Sequence, residues 1–133
     1  MSTFHLKIST PDGQQFDGEV ERLRVRMIDG DVCILAHHAD YVSAVGAGEA
    51  ALTMEDGSVR KAACIGGMLA MIKNEANLIA TTFEWADDID LARAERAKAV
   101  AEARIEAAKE DARELMLAKA KLQRALVRIN VKS

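Results

Sequence analysis

Residues 87–133 read DDIDLARAERAKAVAEARIEAAKEDARELMLAKAKLQRALVRINVKS, a stretch with twelve alanines and neither glycine nor proline. All eight glycines and the one proline lie upstream, between Pro11 and Gly67. Glycine and proline punctuate turns, whereas alanine is the best helix former. The chain therefore divides near Glu84–Asp88 into a turn-rich, strand-like body and an alanine-rich helical tail. The fold class that follows is α+β: an N-terminal antiparallel β-sandwich over residues 1–84 and a C-terminal antiparallel two-helix hairpin over residues 85–133.

In the tail, Ala94, Ala97, Ala101, Ile105 and Ala108 fall on one helical face, and Leu115, Ala118, Leu122, Ala125 and Ile129 on another. Between them, Asp111-Ala-Arg-Glu114 has the form of a capping box, an acceptor at the N-cap with a carboxylate three residues on. That places a tight turn near Lys109–Asp111. The turn lacks glycine, so one continuous helix of about 43 residues, roughly 65 Å long, is also open to this sequence. A seam made mostly of alanine holds weakly: a buried methylene-sized group contributes ~0.8 kcal/mol, a leucine ~1.5–3.

In the body, Phe4, Leu6 and Ile8 alternate with polar residues, as do Leu23, Val25 and Met27 with Arg22, Arg24 and Arg26. Each pattern is a half-buried strand. Ala50, Leu52 and Met54 lead to Asp56-Gly57, a hairpin turn pair, and Val59–Ile65 resumes the period. Met68–Ile72 and Leu78–Thr82 complete the set around a polar turn at Lys73-Asn74-Glu75, and Gly66-Gly67 reads as a tight bend or a close approach of strands. Short strands at this spacing predict a sandwich or barrel.

Composition narrows the function. Residues 1–86 carry seven basic and twelve acidic side chains, residues 87–133 eleven and nine, and neither balance suits nucleic acid. The longest uncharged run, Ala62–Ile72, is eleven residues, too short to span a bilayer, so membrane association goes through a partner. Cys33 and Cys64 sit in a chain without a charged-then-apolar leader, which favours a reducing compartment. Disulfide connectivity is a matter of geometry, and the sequence leaves a bridge between them open. His5, Cys33, His37, His38 and Asp40 are metal-ligating types, yet Cys-x3-His-His lacks the paired spacing of structural zinc sites, and no metal centre is read. No phosphate-cradling glycine loop and no nucleophile or acid–base constellation is present, so no catalytic residue is assigned. From Leu115 to Ser133 the tail has five basic residues (Lys119, Lys121, Arg124, Arg128, Lys132) and no acidic one. The helix macrodipole accounts for cations in the last turn but not for Lys119 and Lys121. Such a basic amphipathic helix suits an acidic protein surface, an anionic ligand or a membrane face, and equally a solvated face.

Motifs in order along nearly the whole chain add a resemblance. Phe4-His-Leu-Lys-Ile-Ser-Thr-Pro-Asp-Gly13, Phe16-Asp-Gly-Glu-Val-Glu-Arg-Leu23, Ile34-Leu35 with His38-Ala39, Cys64-Ile-Gly-Gly67 and Ile89-Asp-Leu-Ala-Arg-Ala94 are similar to segments of the epsilon subunit of the F-type ATP synthase. The resemblance implies a non-catalytic rotor subunit, peripheral on the cytoplasmic face of the cell membrane as part of the F1 sector. Its sandwich would bind the gamma subunit of the central stalk and the membrane rotor ring (c-ring). Its helical pair would extend to reach the alpha/beta catalytic head and restrain ATP hydrolysis through the basic distal helix. It further implies regulatory ATP on the folded hairpin, at the matching positions Glu84, Asp90, Arg93, Arg124 and Arg128, with no other cofactor. Val100 stands where the pattern has one more arginine. Asp31 and His38 match the ring-contact region, where Ile28-Asp29-Gly30, Ala36-His37 and Asp40 depart from the Pro-Gly, Pro-Gly and Pro of the family. A reading from another class is a free-standing ATP-sensing or partner-binding module using the same helical pair.

Overall fold

The structure, a computed structural model, describes residues 2–133 and resolves into two compact units that meet at Trp85/Ala86, one residue beyond the division read from the sequence. The first unit holds seven strands: β1 (Phe4–Thr10), β2 (Gly13–Met27), β3 (Gly30–Leu35), β4 (Tyr41–Ala44), β5 (Ala47–Met54), β6 (Val59–Ile72) and β7 (Glu75–Trp85). Hydrogen bonding runs β1-β7-β6-β5-β2-β3, β1 also pairs β2, and β4 pairs β6. Strands β1, β2, β5, β6 and β7 thus close a circuit, with β3 and β4 as edges. Four links of that circuit are antiparallel and the fifth, β1 with β7, is parallel. Strand direction cannot alternate all the way round an odd ring, so an all-antiparallel closure is impossible here.

Alternation delivers one continuous core. Phe4, Leu6, Ile8, Val20, Leu23, Val25, Ile34, Leu52, Leu69, Met71 and Leu78 are all fully buried. The segments expected as two strands, Val59–Ile65 and Met68–Ile72, are one 14-residue strand bent at Gly66 and Gly67, with φ 75° and 116°. Strands β4 and β5 lie end to end along it in a single register, Tyr41 opposite Met71 and Thr53 opposite Val59, and break at Val45-Gly46 beside the bend. The two corners are bonded together, Gly66 N–H to the Gly46 carbonyl at 2.8 Å and Val45 N–H to the Gly67 carbonyl at 2.9 Å. Glycine is required at Gly67, because a Cβ there would collide with the Ile79 carbonyl oxygen. Both readings of the Gly-Gly pair hold, bend and close approach. The sequence periodicity did not give β3 or β4, which are short edge strands with little alternation to read.

The second unit opens with a 3₁₀ turn (Ala86–Asp88), followed by α1 (Leu91–Ala107) and α2 (Ala112–Lys132). Asp111 Oδ1 accepts from the Arg113 and Glu114 N–H groups, both at 3.1 Å, capping α2 where the sequence placed the box. The helix therefore breaks at Ala108–Asp111, and of the two helical forms the structure takes the hairpin. The α2 seam is as read, with Ala118 and Ala125 buried and Leu115, Leu122 and Ile129 half-buried. On α1 one position differs. Ala97 is exposed and Lys98 half-buried, because a 4-3-4-3 rhythm through residues 94, 98, 101, 105 and 108 tracks the helical period better than a start at 94 and 97.

Candidate functional site

Two regions carry the residues singled out from the sequence, and a third emerges from the structure. The first is the charged outer surface of β2 and β3. Asp31 opens β3 directly opposite Arg26, and its carboxylate lies 3.8 Å from both Arg24 and Arg26. Arg24 also binds Glu49, whose side chain is only 16% exposed, at 2.6 Å. Asp31 is accordingly held by two guanidinium groups while half its surface remains open. His38 lies past the other end of β3, so the two expected ring contacts stand roughly 13 Å of strand apart rather than side by side. The His38 ring packs edge-on against Tyr41, with centroids 5.9 Å apart, and its Nδ1 lies 2.7 Å from the Ala39 carbonyl.

The second region is the open end of the hairpin. Antiparallel packing sets the start of α1 beside the end of α2, where Lys132 Nζ donates to the Ala86 carbonyl at 3.1 Å. Asp90, Arg93, Arg124 and Arg128 all belong to this end; Glu84 belongs to the sandwich, on the penultimate position of β7. Asp90 has a local task, as the N-cap of α1 that accepts from the Arg93 N–H at 3.0 Å. The expected basic helix splits in two. Lys121, Arg124, Arg128 and Lys132 recur at three- and four-residue spacing and form one stripe beside the alanine seam, whereas Lys119 projects from the opposite flank. Arg124 and Arg128 are half-buried between that seam and a second buried stripe, Val127 and Val131, so their aliphatic stems are covered. Val100 is half exposed on α1 and brings no donor for a phosphate. A cleft of about 340 Å³ lies elsewhere, at the closed end of the hairpin around Arg104, Asp111, Glu114 and Lys121. None of the five ATP candidates lines it.

The third region was missed in the sequence. On the outer face of β4, β6, β7 and β1, Met68 sits directly opposite Ile79 and Ala44, and Ile79 opposite Ser9. Val42, Met68, Ile72 and Ile79 are 59%, 45%, 48% and 60% exposed, an apolar patch on a pleated surface. Met68–Ile72 is apolar at every position, while a strand with one solvated face alternates; that unbroken run was the available signal.

Cys33 is exposed on β3 and Cys64 is buried in the core, both as free thiols. Burial pushes the Cys64 thiol up to about 12 from its ordinary 9.0. His5 is paired with Asp17 and Glu19 across the β1–β2 pair, one on each ring nitrogen, and among the described residues no group of three metal-ligating side chains is arranged to hold a metal ion. Among the described residues no helix is long and apolar enough to cross a membrane.

Comparison with known proteins agrees with this anatomy. Residues 3–86 match the beta-sandwich domain of the ATP synthase delta/epsilon chain, and residues 87–133 its long alpha-helix domain. The ATP synthase epsilon chain of Ruminococcus albus is 38% identical over 133 residues, covering 98% of this chain and 97% of the relative. That of Clostridium botulinum is 38% identical over 131 residues, covering 98% and 96%. Among solved structures, a chain of the Euglena gracilis mitochondrial ATP synthase, determined by cryo-EM as OSCP, F1 and c-ring, superposes with a TM-score of 0.83. It covers 92% of this chain and 77% of that one at 17% identity, a likeness of fold.

Proposed function

From a chain that belongs to the ATP synthase delta/epsilon family, and within it to the epsilon chains, we propose a non-catalytic subunit of the F-type ATP synthase central stalk, coupling gamma to the c-ring and restraining ATP hydrolysis through its helical pair. The observation that carries this reading is the apolar patch of Val42, Met68, Ile72 and Ile79 on a domain whose core is already complete. Exposed apolar side chains clustered on a sheet face mark a surface that is covered by a partner. Gamma is that partner in this reading, and the ring is met along β3, with Asp31 at one end and His38 beyond the other.

The helical pair supplies the restraint. Each helix completes its own backbone hydrogen bonds, so the pair separates without orphaning a peptide group. Extended, the stripe of Lys121, Arg124, Arg128 and Lys132 presents four cations to the acidic surface of the alpha/beta head, and Lys119 a fifth from another side. Folded, the guanidinium groups of Arg93, Arg124 and Arg128 face the chemistry of a nucleotide phosphate, which accepts charge-assisted bonds. Regulatory ATP at that end would hold the hairpin closed, with Asp90 kept to its capping role and Val100 contributing nothing. The subunit would thus sit peripherally on the cytoplasmic face of the cell membrane, attached only through its partners.

The test is ATP hydrolysis by a catalytic complex depleted of its epsilon chain and reconstituted with either the full chain or a chain ending at Trp85. The truncation keeps Trp85 because its ring packs on Phe16 and Phe83 and carries Arg60 at 3.7 Å. Inhibition by the full chain that disappears on truncation, with both forms co-eluting, supports the reading. Co-elution without inhibition reduces it to a coupling subunit, and failure of both forms to bind replaces it with the free-standing ATP-sensing module.

A further inference from the structure

The left-handed backbone region is sterically costly for any residue with a Cβ. Among the described residues three non-glycines adopt it, His37 (φ 63°), Lys73 (φ 49°) and Asn74 (φ 64°), and all three meet at one place. Lys73 and Asn74 form the two-residue turn between Ile72 and Glu75, in the conformation that matches strand twist. His37 lies in the loop after β3. The side chains of the two segments cross. Asn74 Oδ1 accepts from the His37 N–H at 2.6 Å, and Asp40 Oδ1 accepts from the Lys73 N–H at 3.0 Å. Asn74 Nδ2 reaches the Thr3 carbonyl at 3.3 Å, tying both segments to the start of β1. Strain gathered in one spot and bonded from both sides is expected where a shape must be fixed before something docks on it.

We propose that Asn74 and Asp40 are positioning residues that clasp the 36–40 loop and thereby set His38 as a preformed contact for the rotor ring. This deepens the function proposed above and rests on it. The chemistry presented is specific. The Ala39 carbonyl accepts from His38 Nδ1 at 2.7 Å, which holds the ring in place and leaves Nε2 as the nitrogen that a partner meets. The clasp also accounts for the sequence here: His37 and Asp40 stand where the resemblance has glycine and proline. Glycine would accept φ 63° freely and proline would stiffen the loop by itself, whereas this chain reaches the same restraint through two side-chain acceptors on backbone N–H groups.

The test uses Asn74→Gly, which keeps a turn residue at home at φ 64° and removes the acceptor of the His37 N–H together with the Nδ2 bond to the Thr3 carbonyl. Hydrogen exchange at the His37 amide is measured on the full chain. ATP-driven ion pumping is then titrated with the chain in membrane-reconstituted holo-complex depleted of its own epsilon. The expected result is exchange at His37 faster by about tenfold, and a half-saturating chain concentration raised by roughly the same factor, as the competent loop conformer becomes a minor one. Adding His37→Gly to the same chain should recover much of the loss, since the left-handed conformation then costs nothing. Faster exchange with unchanged half-saturation overturns the proposal, as does unchanged exchange. If the wild-type chain itself neither co-elutes nor restores pumping, the fault lies with the assigned function, and the exchange result still decides whether the clasp exists.

Discussion

The sandwich and the helical pair bury apolar groups by opposite means. The sandwich puts large side chains (Phe4, Leu6, Ile8, Leu23, Leu52, Leu78) at zero exposure, inside a circuit in which each strand supplies its neighbour's backbone partners. The hairpin buries Ala94, Ala101, Ala118 and Ala125 between helices that each satisfy their own peptide groups. Removing a strand from the first orphans a ladder of hydrogen bonds; parting the helices of the second forfeits the alanine methyls and the covered parts of Leu115, Leu122 and Ile129, at ~0.8 kcal/mol for each methylene-sized unit. One unit is held far more firmly than the other, and the difference follows from side-chain size and from where the backbone bonds close.

The sharpest way to break the firmer half is at its corner. Gly67→Ala places a Cβ against the Ile79 carbonyl at a φ of 116°, and neither strand can move without opening the circuit. A loss of more than ~4 kcal/mol is expected in denaturant unfolding of the full chain, with strand signal lost and helix signal largely kept. A small effect would mean that the bend is softer than the bonded corners imply. Next is a matched pair. Leu23→Ala leaves a cavity in the sandwich and should cost about 2–5 kcal/mol. Leu122→Ala, on the half-buried hairpin seam, should cost about 1, since only part of a leucine's transfer term is lost and no closed cavity remains. Equal costs would contradict the contrast drawn here.

The buried thiol tests the same core by pH. The folded Cys64 thiol holds its proton to about 12 while the unfolded chain releases it near 9.0. Between those values the unfolded state binds fewer protons, so stability is intact below about pH 9 and declines as pH rises toward 12. The slope contributed is at most about 1.4 kcal/mol per unit. Cys64→Ala should flatten the decline relative to wild type between pH 9 and 11, and identical slopes would show that the core opens before the thiol titrates. Iodoacetamide at pH 8 should label exposed Cys33 and spare Cys64.

The split into body and tail, the alternating core strands and the Asp111 cap were legible because each rests on local signals: turn residues, a period of two, an acceptor before a helix. The parallel β1–β7 pair was not, since it follows from the parity of the closed ring and no single strand carries it. Nor was the clasp. Nothing in Asn74 announces a bond to a residue 37 positions away, and His37 at a left-handed φ is invisible until the backbone is seen. Of the positions that the resemblance implies for ATP, Asp90, Arg93, Arg124 and Arg128 lie at one end of the hairpin, and nothing in the sequence separates Asp90's capping bond from a ligand contact. The apolar patch went unread for a related reason, as an unbroken run such as Met68–Ile72 looks the same whether a second sheet or a separate protein covers its far side.

The turn between α1 and α2 bears most directly on the contrast between the two units. Asp111 ends the turn after α1 and starts α2, with two N–H groups on one carboxylate oxygen. Asp111→Ala removes that cap, costing the hairpin about 1 kcal/mol, and installs the residue that best continues a helix, worth some tenths more to the unbroken form. Together these should shift the balance between hairpin and continuous helix by close to tenfold. Spin labels at Ala92 and Asn130, both exposed, with Cys33 and Cys64 replaced, would lie close in the hairpin and roughly 57 Å apart in a single helix. A long-distance population that grows in Asp111→Ala, and shrinks when millimolar ATP is added, would join the weak seam to the regulatory ligand in one measurement. A growing population indifferent to ATP would keep the hinge and remove the nucleotide. A distance distribution unmoved by the substitution would mean that the alanine seam holds more firmly than its methyl groups account for, and the helical pair would then be as fixed as the sandwich.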